Sequence, residues 1–363
     1  MRLTEQEVIK RLWETAEQYK PLVFKGFNKE FLLSKGIRAD AVVDFAIENG
    51  PTFTALVEIV AVATPKNIAL KSRVLLDYIR ELNKPDLVPT IIAPYIASGQ
   101  AGVLSEKGVS WIDLSGNMML RVPGQVYIER KGNRNRFPDT APIKKIFQGT
   151  SSLVSRALLL RLDGFVSQYE VVDFINSRNA NITAGTVSRV LRSLEEDLLV
   201  RKTKSLISAT DRRKLLERLV EDYISIARRR KTKRYRFTVT GTQDLLAWSS
   251  LGLVSDYVFC GFYAAELKGL AKTEQVSLFV KDIGQAREAF DNFSAFGNIS
   301  IGPDNEFGQI VVIETKAPEP WFNAEKINNL WIVDDIELYL EMMADTPRGP
   351  RVAELLKPGI LKE

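Results

Sequence analysis

The chain of 363 residues contains no histidine and a single cysteine, Cys260. The missing imidazole excludes a Ser-His-Asp triad, a Cys-His nucleophile pair and a zinc site of His and Cys. One cysteine excludes any disulfide within the chain. Catalysis would have to use carboxylates, Lys, Tyr, Ser or a carboxylate-held Mg2+. Cys260 lies in the apolar run Tyr257-Val-Phe-Cys-Gly and reads as a buried small hydrophobe rather than a nucleophile. No run of about 18 apolar residues occurs, so no transmembrane helix is expected. The opening residues Met1-Arg-Leu-Thr-Glu-Gln-Glu are charged and helix-like, unlike a signal peptide, and a cytoplasmic protein is expected. Low-complexity segments and short internal repeats are also missing.

What is present is charge, unevenly spread. The net +5 divides into three blocks. Residues 1–145 hold 21 Lys+Arg and 16 Asp+Glu, residues 146–236 hold 19 and 10, and residues 237–363 hold 10 and 19. A middle block of +9 followed by a last block of −9 suits phosphate neutralisation in the middle and a partner protein at the acidic end. Two polar basic stretches mark the boundaries: residues 131–145, with two prolines, and Arg228-Arg-Arg-Lys-Thr-Lys-Arg-Tyr-Arg236.

Periodicity fills in the three blocks. In the first, a helix is predicted over 4–19, strands over Asp40–Glu48 and Thr52–Ala63 joined by an Asn49-Gly50 turn, and a helix over Pro65–Leu82. A strand at Val88–Ala93, a helix at Ser98–Lys107, a strand at Ser110–Leu114 and a closing pair at Met118–Val122 and Gln125–Arg130 complete an α/β layout with a mixed sheet. In the middle block helices are predicted over Ser151–Leu162, Ser167–Ser177, Thr183–Asp197 and from about Asp211 to Arg230. In the last, strands are expected at Tyr257–Cys260, Gln275–Val280, Gln309–Glu314 and Trp331–Val333. Helices are expected at Asp244–Ser250, Tyr263–Leu270, Gly284–Phe293 and Asp334–Ala344.

The middle block carries the clearest functional pattern, a winged helix-turn-helix. Ser167-Gln-Tyr-Glu170 is a capping box, and Val171, Val172, Phe174 and Ile175 give an apolar face. Asn179-Ala-Asn181 breaks the helix, and Thr183 caps a second one with Val187, Val190, Leu191 and Leu194 inward. Its outer face carries Thr186, Ser188, Arg189 and Arg192. Leu198-Leu-Val-Arg-Lys-Thr-Lys204 reads as a wing. Such a unit lays its second helix in the major groove of double-stranded DNA, usually as a homodimer on paired half-sites. Arg189 and Arg192 are candidates for base or phosphate contact, Thr183, Thr186 and Ser188 for added hydrogen bonds. Arg201, Lys202 and Lys204, with Arg228, Arg229, Arg230, Lys231, Lys233 and Arg234, are candidates to hold phosphates.

Three further patterns bear on chemistry. Asp44 and Glu58 lie on the two strands of one predicted hairpin, as in the carboxylate pair of a Mg2+-dependent PD-(D/E)xK endonuclease. The third position fails, because Glu58-Ile-Val60 has Val where the water-activating Lys should stand, although Lys66 follows in the next turn. The pair is therefore expected to be vestigial, with an active, DNA-targeted endonuclease as the alternative. Ser110-Trp-Ile-Asp-Leu-Ser-Gly-Asn117 turns sharply; Asp113 and Asn117 either hold that turn or bind phosphate or another domain. Phe259-Cys-Gly-Phe-Tyr before a helix is like the phosphate-binding turn of nucleotidyltransferases. The next strand, Gln275-Val-Ser-Leu-Phe-Val280, has no carboxylate for two metals, with Glu274 and Asp282 only flanking it. No cofactor and no bound metal are expected.

The order of domains, together with Pro89-Thr-Ile-Ile-Ala-Pro-Tyr-Ile96, Gly108-Val-Ser-Trp-Ile-Asp-Leu-Ser-Gly-Asn117, Ile336-Glu-Leu-Tyr-Leu340 and Pro347-Arg-Gly349, resembles the AbiEi-like antitoxin and transcriptional-regulator family of type IV toxin–antitoxin systems. The resemblance implies a promoter-binding repressor of its own operon, paired with a nucleotidyltransferase-like toxin, and no enzyme. The expected architecture is multidomain α/β. It has a restriction-endonuclease-like, inactive domain over 1–145, a winged helix-turn-helix over 146–236, and an acidic, inactive nucleotidyltransferase-like domain over 237–363. A protein-interaction scaffold, built on the −9 end, is the other reading.

Overall fold

A computed structural model describes residues 3–33, 37–84, 86–137, 145–229, 234–240, 257–288, 300–302, 309–345 and 347–363. The chain is mixed α/β. It divides into two compact units, Met1–Lys144 with Glu195–Leu198, and Lys145–Leu194 with Leu199–Glu363. Among the described residues, no helix is long and apolar enough to cross a membrane.

The first unit opens with α1 (Glu5–Glu14), fixed at its start by a capping box. Thr4 Oγ1 accepts from Glu7 N at 3.2 Å, and Glu7 Oε2 accepts from Thr4 N at 2.7 Å. The helix stops at Thr15 rather than at 19, and a 3-10 turn, Ala16–Tyr19, follows. Seven strands form one sheet in sequence order: β1 (Leu22–Leu33), β2 (Ile37–Ile47), β3 (Thr52–Ile59), β4 (Val88–Ala93), β5 (Ser110–Asp113), β6 (Met118–Val122) and β7 (Val126–Arg130). β3–β4 and β4–β5 are parallel, and the crossovers between them are α2 (Pro65–Leu82) and α3 (Ser98–Glu106). The other neighbours are antiparallel.

Alternation along the strands divides the buried side chains between the two faces of the sheet. Val57 and Ile59 pack with Val8 and Leu12 of α1, whereas Leu56 and Val60 pack with Ile68 and Leu75 of α2 and Leu104 of α3. Each such side chain, fully buried, contributes about 1.5–3 kcal/mol. β1 has no counterpart among the sequence expectations. Gly26 interrupts its pattern and sits at a register shift against β2, where a Cβ would come within 3.3 Å of Asp44 Oδ2.

The second unit begins with α4 (Ser152–Leu160), α5 (Gln168–Asn176) and α6 (Ala184–Glu196), then the hairpin β8 (Val200–Lys202) and β9 (Ile207–Ala209), then α7 (Arg212–Arg229). Its larger sheet contains β10 (Arg234–Thr240), β11 (Tyr257–Phe259), β12 (Val276–Val280), β13 (Ser300–Gly302), β14 (Ile310–Glu314), β15 (Glu325–Ile327) and β16 (Leu330–Ile332), in the order β13-β10-β14-β12-β11-β16-β15. Helix α8 (Gly261–Leu267) follows β11, and α9 (Asp335–Ala344) and α10 (Gly349–Leu361) close the chain. One apolar core runs without interruption from Leu153 and Leu158 of α4 through Leu215 and Leu219 of α7 to Val312 of β14 and Leu338 of α9. β10 and α10 also lack counterparts among the sequence expectations. The basic run at 228–236 reads as a boundary, yet Arg234–Phe237 pair antiparallel with β14. The expected helix at Asp244–Ser250 lies outside the described residues, as does the end of the one expected over Gly284–Phe293.

Candidate functional site

Two places bring charged side chains together in a way that local packing does not require. The first is in the first unit. Glu58 on β3 is buried on the α2 side of the sheet. Helix α2 starts at Pro65 after Thr64, whose Oγ1 accepts from Asn67 N at 3.2 Å, and this places Lys71 two turns in, over β3. Lys71 Nζ bonds Glu58 Oε2 directly and Asp40 Oδ2 at 3.1 Å. Asp40 Oδ2 also accepts from Ile59 N at 2.8 Å. Burial pushes the Glu58 carboxyl up to about 7; the Asp40 carboxylate pushes the same way and Lys71 opposes both.

This corrects the expected pair. Asp44 stands opposite Thr54 in the β2–β3 register and takes the Thr54 hydroxyl at 2.7 Å, exposed to solvent. Glu58 is four residues further along β3, roughly 13 Å from that point at the usual rise per residue. The partner across from it is Asp40. A signal for this existed in the turn. Ile47 N bonds Pro51 O, and the partners Asp44 with Thr54 and Ala41 with Val57 continue the same count, which ends at 40 with 58. Lys66 lies in the first turn of α2, and Lys71 is the lysine that reaches the carboxylates.

Ser110–Asn117 turns inward. Asp113 is buried and accepts from Ile96 N at 3.2 Å, Ser115 N at 2.9 Å, Asn117 N at 3.0 Å and Asn117 Nδ2 at 2.9 Å. Asn117 Oδ1 accepts from Asn133 N at 2.8 Å. The turn is thus held by its own side chains, and the hydrogen-bonding capacity of Asp113 and Asn117 is spent within the fold.

The second place is the helix-and-hairpin part of the second unit. Ser167 Oγ accepts from Glu170 N at 3.2 Å. Glu170 does not return to Ser167 N; its Oε2 accepts from Val166 N at 2.7 Å and its Oε1 meets Arg161 at 2.5 Å, which together hold its carboxyl below the usual range. Asn179 takes a left-handed φ of 54° between α5 and α6. The turn is clamped by Asn176, whose Oδ1 accepts from Ile182 N at 2.8 Å. Thr183 Oγ1 accepts from Thr186 N at 3.3 Å and caps α6, which buries Val187, Val190, Leu191 and Leu194 as its periodicity predicts.

The outward residues are the functional candidates. Arg189 and Arg192, three apart on one face of α6, are exposed, with Thr186 and Ser188 half-buried beside them. Arg201, Lys202 and Lys204 are exposed on the hairpin, where Arg201 pairs with Ser208 and Lys202 with Ile207, and Phe165 adds a bridge to Ile207. Among the described residues none of these five cations forms an ion pair. The side chains of Arg228 and Arg229, and all of Arg230, Lys231 and Lys233, lie outside the described residues. Arg234 is not part of the helix-and-hairpin: it opens β10, opposite Ile313. Arg212 of the basic helix α7 is spent on structure, donating to Leu158 O at 3.0 Å, to Leu159 O, and to Ile360 O at 2.8 Å.

A buried polar cluster in the second unit escapes the sequence reading. Arg156 of α4 is fully buried and pairs with Glu337 of α9 at 2.5 Å, and the Tyr223 hydroxyl donates to Glu337 at 3.3 Å. Burial works against the guanidinium charge, but Glu337, Asp334 and Glu319 more than offset it. Burial raises Asp334 to about 7 and Glu341 to about 8. Cys260 is buried, as expected, and burial pushes its thiol up.

No family model and no curated protein matches the chain. Among solved structures it is similar to a crystal structure of a repair endonuclease from Pyrococcus abyssi, at 16% sequence identity and a TM-score of 0.24, over 31% of this chain and 47% of that one.

Proposed function

We propose that this protein is a sequence-specific DNA-binding transcriptional regulator that acts through a winged helix-turn-helix made of α4–α6 and the β8–β9 hairpin. The observation that supports it is the exposure of Arg189, Arg192, Arg201, Lys202 and Lys204 on α6 and the hairpin, unpaired among the described residues. Cations left without carboxylate partners on one motif retain their full capacity for phosphate and guanine. α6 lies in the major groove, with Arg189 and Arg192 at base edges or adjacent phosphates. The hairpin is the wing, and its three cations grip the backbone.

In this reading the first domain is restriction-endonuclease-like and inactive, the last acidic segment is nucleotidyltransferase-like and inactive, and neither takes a cofactor. The protein works as a homodimer on promoter or operator DNA, as an autorepressing antitoxin of the AbiEi-like kind. A nucleotidyltransferase-like toxin is the partner for the acidic segment.

Fluorescence anisotropy against the chain's own upstream region tests the reading. Arg189→Ala is expected to weaken specific binding by about 1–3 kcal/mol, roughly fivefold to 150-fold. Lys202→Ala is expected to weaken all sequences alike and to lower the salt slope by about one. Failure of the wild type to bind at low salt refutes it. Plasmid cleavage with Mg2+ or Mn2+ that Glu58→Gln abolishes would replace it with the endonuclease alternative.

A further inference from the structure

The carboxylate–lysine cluster of the first unit is unused by the DNA-binding reading and independent of it. A divalent cation of the kind the endonuclease alternative needs takes oxygen ligands at fixed short distances and several of them. Here the two oxygens that face each other, Asp40 Oδ2 and Glu58 Oε2, are both bonded to Lys71 Nζ. Asp40 Oδ2 is further occupied by Ile59 N. Among the described residues no group of three or more His, Cys, Asp or Glu is placed to hold a metal. An ammonium in contact with both carboxylates also repels a second cation at the same point. The residues do not fit a divalent ion while Lys71 is in place.

We infer that the Lys71 ammonium is a built-in replacement for a divalent cation, bridging Asp40 and Glu58 so that this site is filled by the protein itself and closed to metal. The chemistry supports substitution rather than coincidence. Glu58 is only 3% exposed, on a strand with apolar neighbours, and a buried carboxylate persists where a cation meets it. Lys71 arrives from a different element, the crossover helix α2, which buries Ile68, Ser72 and Leu75 against the sheet. One positive charge then offsets part of the negative charge that Asp40 and Glu58 bring to the site, the part a divalent ion would otherwise have to offset. The first domain stays folded without metal, and its carboxylates are held by hydrogen bonds rather than presented to phosphate.

The consequence is a gain of function on removing the lysine. Mn2+ is titrated into the full-length wild type, Lys71→Met, Lys71→Arg, Glu58→Gln and the double variant Lys71→Met/Glu58→Gln, with binding read by calorimetry and by the Mn2+ electron paramagnetic resonance signal. The wild type and Lys71→Arg are expected to leave Mn2+ free. Lys71→Met is expected to bind one Mn2+ at least about tenfold more tightly than the wild type, because the competing ammonium is gone while the apolar stem is kept. The double variant is expected to lose that binding. Wild-type binding of one Mn2+ that disappears in Glu58→Gln overturns the inference, and so does a folded Lys71→Met that binds no better than the wild type. Should Lys71→Met be unstable, Mn2+ is expected to raise its melting temperature; a temperature that ignores millimolar Mn2+ also overturns the inference.

Discussion

Arg156→Met is expected to destabilise the second unit strongly. Arg156 is buried to 1% exposure in α4, and Glu337 sits opposite on α9 with its oxygens taken by Arg156 at 2.5 Å and by the Tyr223 hydroxyl at 3.3 Å. Asp334 lies buried and Glu319 and Glu341 half-buried around the same point, and their charges are felt by Arg156 or Glu337. Without the guanidinium, Glu337 keeps one hydroxyl and gains the repulsion of its neighbours. Breaking a buried pair from one side costs about 3–5 kcal/mol, which corresponds to a fall in Tm on the order of 10 °C for a unit of this size. The double variant Arg156→Met/Glu337→Leu is expected to recover most of the loss, because two apolar side chains need neither charge nor donor. Guanidinium unfolding of the wild type, both single variants and the double closes the cycle. An Arg156→Met variant within about 1 kcal/mol of wild type, or a double variant as unstable as the two singles added, refutes the reasoning.

The same cluster predicts an inverted pH profile. Burial raises Asp334 from 3.8 to about 7 and Glu341 from 4.5 to about 8, so the folded state holds protons that the unfolded state has released. Their contribution is fully present below about pH 4 and is lost as pH rises to about 8. Asp334→Asn, which keeps an oxygen for the Glu337 N–H it accepts at 2.8 Å, is expected to flatten that slope in Tm-against-pH scans; an unchanged slope rejects the assignment. Gly164→Ala is expected to cost at least about 2 kcal/mol in chemical denaturation, since φ is +71° and a Cβ would lie 2.5 Å from Ile207 O, beside the Phe165–Ile207 bridge that anchors the hairpin. A Gly164→Ala variant as stable as wild type contradicts it.

What could be read from the sequence follows how far apart the interacting residues lie. The helix-and-hairpin part is made by neighbours: Ser167 with Glu170, Asn176 with Ile182, Thr183 with Thr186, and a 3.6-residue apolar period in α6. Each of these pairs lies within six residues of chain, so the outward positions of Arg189, Arg192 and the wing cations follow directly. The carboxylate site required register as well as pattern. Asp44 and Asp40 are both on the α2 side of β2, and only the pairing count from Pro51 separates the one opposite Thr54 from the one opposite Glu58. Lys71 required the packing of α2 on the sheet, for which spacing along the chain holds no information. β1 and β10 were hidden for opposite reasons, Gly26 interrupting one pattern and a run of arginines and lysines disguising the start of the other.

Arg156 marks the limit of this kind of reading. In Ser152–Leu160 it is one cation in an apolar helix, and the usual reading places it on a solvated face. Its partner is 181 residues away. Ser152 and Ser155 share its side of the helix and look like a polar stripe, yet both are buried, as are Leu153, Val154, Ala157, Leu158 and Leu159, so the helix has no free face. A cation in a helix that is buried all round must be matched from elsewhere in the fold, and the charged segment Asp334-Asp-Ile-Glu337, capping a helix in the acidic last third, supplies the counter-charge. The charge asymmetry along the chain therefore has two destinations. The excess positive charge of α6 and the hairpin is directed outward and left unpaired among the described residues, while Arg156 draws on the negative excess of the last segment to tie α4 to α9 within one core.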